Sequence, residues 1–216
     1  MKNKKLRAIN YGIPLLALIC ILFIYPHLPA EIPTQWGFDG HVSYGPKRTI
    51  WIITGMLVCF SFLFDYLPQI DPRRKNYQKF GAVYDYFCVG MQVFLTITVG
   101  IIVSESFYPG RINAGKIVLL MLSILFLCIG NFMPKIQSNF FMGIKTPWTL
   151  SNEDIWRKTH RLGGKLYVGS GVIILLSTLL LPMQITVFIL TVLVFGSTAA
   201  VYLASYLWWR RLGKEE

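Results

Sequence analysis

The chain has 216 residues, 54% of them hydrophobic and only 14% charged, and its 21 Lys and Arg outnumber 10 Asp and Glu to leave a net charge of +11. With a mean hydropathy of +0.53, this composition excludes an ordinary soluble fold, in which about a quarter of the residues are charged. Six apolar runs of spanning length take up most of the chain, leave no room for an independent soluble catalytic domain, and predict an all-α, polytopic integral membrane protein.

In chain order the runs cover residues 9–25, 49–67, 86–103, 117–133, 166–181 and 185–209. Each reads as a transmembrane helix, because hydrocarbon forces every backbone group to be satisfied within its own segment and no run alternates as a barrel strand does. Pro14 falls near the start of the first run, where a proline is tolerated, and the short gap at residues 182–184 makes the last two helices an antiparallel hairpin. The basic start of the chain resembles a signal peptide, but Leu28-Pro29-Ala30 is a poor cleavage site, so the first run is expected to stay as a helix. Cys20, Cys59, Cys88 and Cys128 stand singly inside runs and read as small apolar residues, neither disulfides nor metal ligands.

Lys and Arg alternate between loops without a break, with seventeen on the side of both termini and four on the other. The positive-inside rule then predicts cytoplasmic termini in a plasma membrane and explains the charge excess as topology, so no direct nucleic-acid binding is expected. Tyr66, Tyr167, Trp208 and Trp209 fall at belt positions, and membrane lipids are the first partner expected.

The outer connection, residues 26–48, is rich in Pro and Gly and favours turns over a helix. Trp36 and Phe38 place apolar rings on this otherwise polar segment, and with Ile32, Pro33 and Asp39 they form the candidate outer contact set for a peptide. Interfacial anchoring is the commoner use of such rings. His27 and His41 lack a third patterned ligand, so no metal or other cofactor is expected.

The inner connection, residues 131–165, is the longest polar segment. Pro147 holds Thr146 extended, and Ser151 with Asp154 predicts a capping-box start for an amphipathic helix running to about Leu162. Ile155, Trp156, Thr159 and Leu162 share one side of that helix while Arg157, Lys158 and Arg161 face elsewhere, as suits a helix lying along the inner leaflet or docking a protein.

Two sequence patterns carry a resemblance. Gly-Asn-x-Met-Pro-Lys at residues 130–135 and Gly-Ile-Lys-Thr-Pro-Trp-Thr-Leu-Ser-Asn-Glu-x-x-Trp-x-x-Thr-His-Arg at residues 143–161 look like the SdpI family of bacterial membrane proteins. Leu28-Pro29-x-x-Ile32-Pro33-x-x-Trp36-Gly37-x-x-Gly40 resembles the N-terminal module often joined to it. The resemblance implies two modules, a two-helix one over 1–80 and a four-helix one over 81–216. It also implies immunity to a secreted, envelope-active toxin peptide. In the best-known member, the occupied immunity protein holds a cytosolic winged-helix repressor at the membrane and so transduces a signal. The inner candidates for partner contact are Asn131, Pro134, Asn139, Gly143, Thr146, Pro147, Trp148, Glu153, Trp156, Arg157, Lys158, His160 and Arg161.

Catalysis is not expected, because no nucleophile with a base and no HExxH pattern appears, and the topology places His27 and His41 opposite His160. His160 reads instead as a polar partner within the inner loop. A peptide or lipid transporter is the rival function, although Asp65, Asp85 and Glu105 sit at or near span ends rather than at mid-membrane. Thr96, Thr98 and Gly100, and Gly169 and Gly171, are expected to permit close helix contact around a narrow lipid-facing groove.

Overall fold

A computed structural model describes residues 3–37 and 41–212; Phe38 and Asp39, two of the outer candidates, lie outside the described residues. The elements run α1 (Lys4–Ile24), β1 (Glu31–Trp36), β2 (Val42–Pro46), α2 (Ile50–Ile70), α3 (Tyr77–Phe107), α4 (Ala114–Phe132), α5 (Pro147–Ser151), α6 (Glu153–Leu180) and α7 (Met183–Leu212). Among the described residues, six helices are long and apolar enough to cross a membrane, α5 being the short exception. Phe23, Leu180, Phe188 and Phe195 are exposed on them, as side chains facing lipid should be.

Three features depart from the sequence expectations. The outer connection contains an antiparallel hairpin, with Glu31 opposite Pro46 and Trp36 opposite Val42. Its prolines are compatible with strands because Pro33 adjoins a register irregularity and Pro46 is the last strand residue. The inner amphipathic segment is not a separate helix beginning at Ser151. It is the first part of α6, capped by Asn152, whose Oδ1 accepts from Asp154 N (2.8 Å) and Ile155 N (3.1 Å). Its side with Ile155, Trp156 and Thr159 is buried within the protein rather than laid on a leaflet. Finally, Pro14 sits well inside α1, because α1 begins at Lys4.

The chain forms two compact units, Met1–Pro68 with Tyr84–Val118 and Gln69–Val83 with Leu119–Glu216. In the first, Ala17 and Ile21 of α1, Ile50 and Leu57 of α2, and Val99 and Ile102 of α3 make a core that also takes in Leu28 and the strand residue Ile32. Two prolines interrupt the backbone ladders here, and each freed carbonyl finds a hydroxyl on another helix. Pro14 leaves Asn10 O without its usual donor, and Ser61 Oγ donates to it at 2.8 Å. Pro68 does the same to Phe64 O, which accepts from Tyr84 Oη at 2.7 Å. Gln92 joins the first pair, its Nε2 donating to Ser61 Oγ (3.0 Å) and Leu57 O (3.1 Å).

In the second unit α6 and α7 form the expected hairpin, closed by Thr186 Oγ1 donating to Ser177 O at 3.1 Å. α4 meets α6 backbone to backbone: a Cβ on Gly130 would stand 2.6 Å from Val168 N and 2.8 Å from Gly164 O. Only glycine permits that approach.

Candidate functional site

The second unit folds residues 133–152 into a compact cap by side-chain to backbone bonding. Asn139, fully buried, organises one turn: Oδ1 accepts from Phe141 N (2.9 Å) and Met142 N (2.6 Å), and Nδ2 donates to Gln137 O and Met142 O (both 2.9 Å). Thr146 and Thr149 bond reciprocally, Thr149 N to Thr146 Oγ1 (3.1 Å) and Thr146 N to Thr149 Oγ1 (2.8 Å), and Pro147 supplies a first helical residue that needs no acceptor. Trp148 then reaches α7, donating its indole N–H to Ser205 Oγ and lying edge-on to Tyr206 at 5.5 Å.

His160 closes the cap from α6. Its Nε2 accepts the Ile144 N–H at 3.0 Å, so the ring proton sits on Nδ1 and is donated to Trp156 O at 2.8 Å. Trp156 stacks on the same imidazole at 4.0 Å and donates its own Nε1–H to Ile136 O at 2.8 Å. Gly143 must be glycine, since its φ is +107° and an added Cβ would collide with the His160 ring.

Sequence reasoning missed the segment that ties this cap down, residues 71–77. Buried Asp71 accepts from Phe140 N (2.9 Å) and Arg73 N (2.7 Å), with Tyr77 Oη 3.1 Å away. The Arg73 guanidinium donates to Ser138 Oγ and to Leu150 O (2.6 Å), and Asn76 Nδ2 donates to Ser138 O (2.7 Å). The available signal was a single carboxylate in a loop whose other charges are all basic.

Of the inner candidates, Asn139, Thr146, Trp156 and His160 are buried and Trp148 is half-buried; all five are brought into the network. Asn131, Pro134, Gly143, Pro147, Glu153, Arg157, Lys158 and Arg161 are exposed. Arg157 pairs with Asp154 at 2.7 Å. Four of these eight exposed candidates, Glu153, Arg157, Lys158 and Arg161, are charged, and all four lie on α6. Among the described residues no three His, Cys, Asp or Glu side chains gather as a metal site would require.

In the first unit, Ile32 and Pro33 of β1 are buried, and Trp36 is half-buried with a buried indole N–H that has no acceptor among the described residues. Tyr44 is exposed on the other strand. A groove of about 570 Å³ runs between α1 and α3, lined by Leu16, Cys20, Ile24, Thr96, Gly100 and Phe107 among others. Thr96 Oγ1 is engaged within its own helix, donating to Gln92 O (2.8 Å), and most of the lining is aliphatic or aromatic, so the groove suits apolar groups. Gly100 leaves this groove open rather than bringing helices together, whereas Gly171 on α6 meets Leu127 and Ser123 closely.

Comparison with known proteins places these geometries in context. Residues 135–206 match the model of the SdpI/YfhL protein family, and residues 12–58 match a domain of unknown function, DUF1648. The chain is 27% identical over 209 residues to the Immunity protein SdpI of Bacillus subtilis (strain 168), covering 96% of this chain and 98% of that protein. No solved structure matches. The matched residues 135–206 run from the start of the capped loop through the contacts of Trp148 with Ser205 and Tyr206 on α7, so the similarity to the SdpI/YfhL protein family covers that loop and the α6–α7 hairpin.

Proposed function

We propose that this protein is an immunity protein of a bacterial plasma membrane, with both termini in the cytoplasm, that protects the cell by binding a secreted, envelope-active toxin peptide. The observation that carries this reading is the similarity along 96% of the chain to an immunity protein. Positive-inside topology puts the hairpin outside and the capped loop inside. Trp36, whose indole N–H has no acceptor among the described residues, then meets the toxin together with the sequence candidates Phe38 and Asp39, while buried Ile32 and Pro33 hold the strand that presents Trp36. The α1–α3 groove accepts an apolar segment of the peptide from the outer leaflet. The mechanism is binding, without bond-making chemistry.

Signalling follows as a second step in this reading. Arg157, Lys158 and Arg161, all exposed on α6, offer an acidic cytosolic repressor a basic face, for which anionic lipid competes. Changing all three to Gln at matched membrane abundance abolishes recruitment of that repressor; unchanged recruitment removes the basic face from the mechanism. Transport of a peptide or lipid is the rival, favoured by the same groove. Vesicles reconstituted with the protein separate the two, since a binder saturates without directional flux.

The deciding experiment is survival of a toxin-sensitive bacterium expressing the parent protein or a Trp36→Ala, Phe38→Ala variant of equal abundance. Protection by the parent alone supports immunity through the hairpin. Protection by both retains immunity and moves the contact to the groove, and protection by neither sinks the reading for that toxin.

A further inference from the structure

A second pocket, of about 550 Å³, lies between residues 72–76 and the junction of α5 with α6 at residues 150–153. Unlike the α1–α3 groove it is polar, walled by Arg73, Arg74, Lys75, Asn76, Ser151 and Glu153. Three cations face one carboxylate. Arg73 is committed to structure, bonded to Ser138 Oγ and Leu150 O and lying over the Phe140 ring at 5.3 Å, so that wall is preformed. Arg74 and Lys75 are exposed, and their side chains make no hydrogen bond or ion pair among the described residues. Glu153 on the facing wall pairs with neither of them.

The charge of the pocket and its place in the chain point to what fills it. Residues 72–76 immediately precede Tyr77, where α3 begins, and residues 150–153 lead into α6, so both walls sit at the polar ends of helices whose apolar runs begin about ten and thirteen residues further on, at 86 and 166. Long basic side chains at such ends reach toward the lipid headgroups. Basic pockets between spanning helices at the cytoplasmic side are suited to phosphate-bearing headgroups, and each Lys or Arg near an anionic leaflet adds to the attraction.

We propose that this pocket binds the phosphodiester of an anionic phospholipid. Arg74 and Lys75 contact the phosphate oxygens, Arg73 supplies fixed positive charge behind them, and Glu153 accepts from a hydroxyl of a polyol headgroup while disfavouring a second anionic group. A lipid held there bridges residues 72–76 to the α5–α6 junction and so braces the capped loop. The site is independent of the immunity reading, because it requires no toxin.

The test is native mass spectrometry of the delipidated full-length protein, titrated with phosphatidylglycerol or phosphatidylcholine of matched chains. The first phosphatidylglycerol should bind about tenfold more tightly than phosphatidylcholine, and Arg74→Gln with Lys75→Gln should remove that preference. Arg210→Gln with Arg211→Gln, which deletes the same charge outside the pocket, should change it less than about twofold. Circular dichroism confirms that both variants fold, since all four side chains are exposed. Equal losses in the two variants, or no preference in the parent, would overturn the site in favour of diffuse surface charge. Displacement of phosphatidylglycerol by inorganic phosphate would identify a free phosphate site and overturn the lipid assignment.

Discussion

The strand β1 is held by what it buries, whereas residues 136–152 are held by what their polar atoms touch. The hairpin sets Ile32, beside Leu28, into the apolar core of the first unit and leaves Trp36 Nε1 without an acceptor among the described residues. The capped loop spends Asn139, Thr146, Thr149, Trp156 and His160 on backbone and neighbouring polar groups. Apolar burial is tolerant of direction and leaves a face for varied contacts. A hydrogen-bond network admits one geometry and few substitutions. The difference explains why the longer recognisable pattern lies in the loop: its residue types are fixed by internal bonding, before any partner is considered.

The comparison can be broken first where burial dominates. Ile32→Ala should destabilise the first unit by about 2–5 kcal/mol, as deletion of a fully buried aliphatic side chain does, and should loosen the hairpin while the capped loop stays protected. Hydrogen exchange read by mass spectrometry checks both halves of that statement; equal loosening of both loops would remove the distinction. Asn139→Ala strands the amides of Phe141 and Met142 and should cost about 1–3 kcal/mol, with faster exchange confined to residues 136–146.

A smaller effect sharpens the picture within the first unit. Ser61→Ala removes the donor to Asn10 O and should lower thermal stability in detergent by about 1 kcal/mol. In a Pro14→Ala background the helix regains its own donor, so the same substitution should cost measurably less. Additive losses would refute the compensation. Smallest of all, Arg157→Gln with Lys158→Gln should leave the melting temperature unchanged, because both groups are exposed and the Arg157–Asp154 pair at 2.7 Å is a surface contact.

The six spans were legible because length and hydropathy are local properties, and so was the polar role of His160 within its loop. Helix ends were less legible. A hydropathy window stops at Lys165 and Arg161, but the helix continues back through them to Glu153 because those basic side chains face outward while Trp156 and Thr159 face in. The hairpin was hidden by its prolines, which argue against strands until the irregularity beside Pro33 is known. Asp71 and Arg73 were invisible for another reason: their partners Phe140 and Leu150 are 69 and 77 positions away. No spacing rule reaches that far.

The two proline compensations bear on how the protein is made. A span that enters the bilayer alone must satisfy its own backbone, and an unsatisfied carbonyl there costs several kcal/mol. α1 cannot meet that condition until Ser61 arrives on α2, and α2 cannot meet it until Tyr84 arrives on α3. Each helix thus waits for its successor, which favours holding the first three together at the insertion machinery and releasing them into lipid as a group. A chain truncated after α2 should accordingly be retained and degraded, although both of its spans are hydrophobic enough to insert.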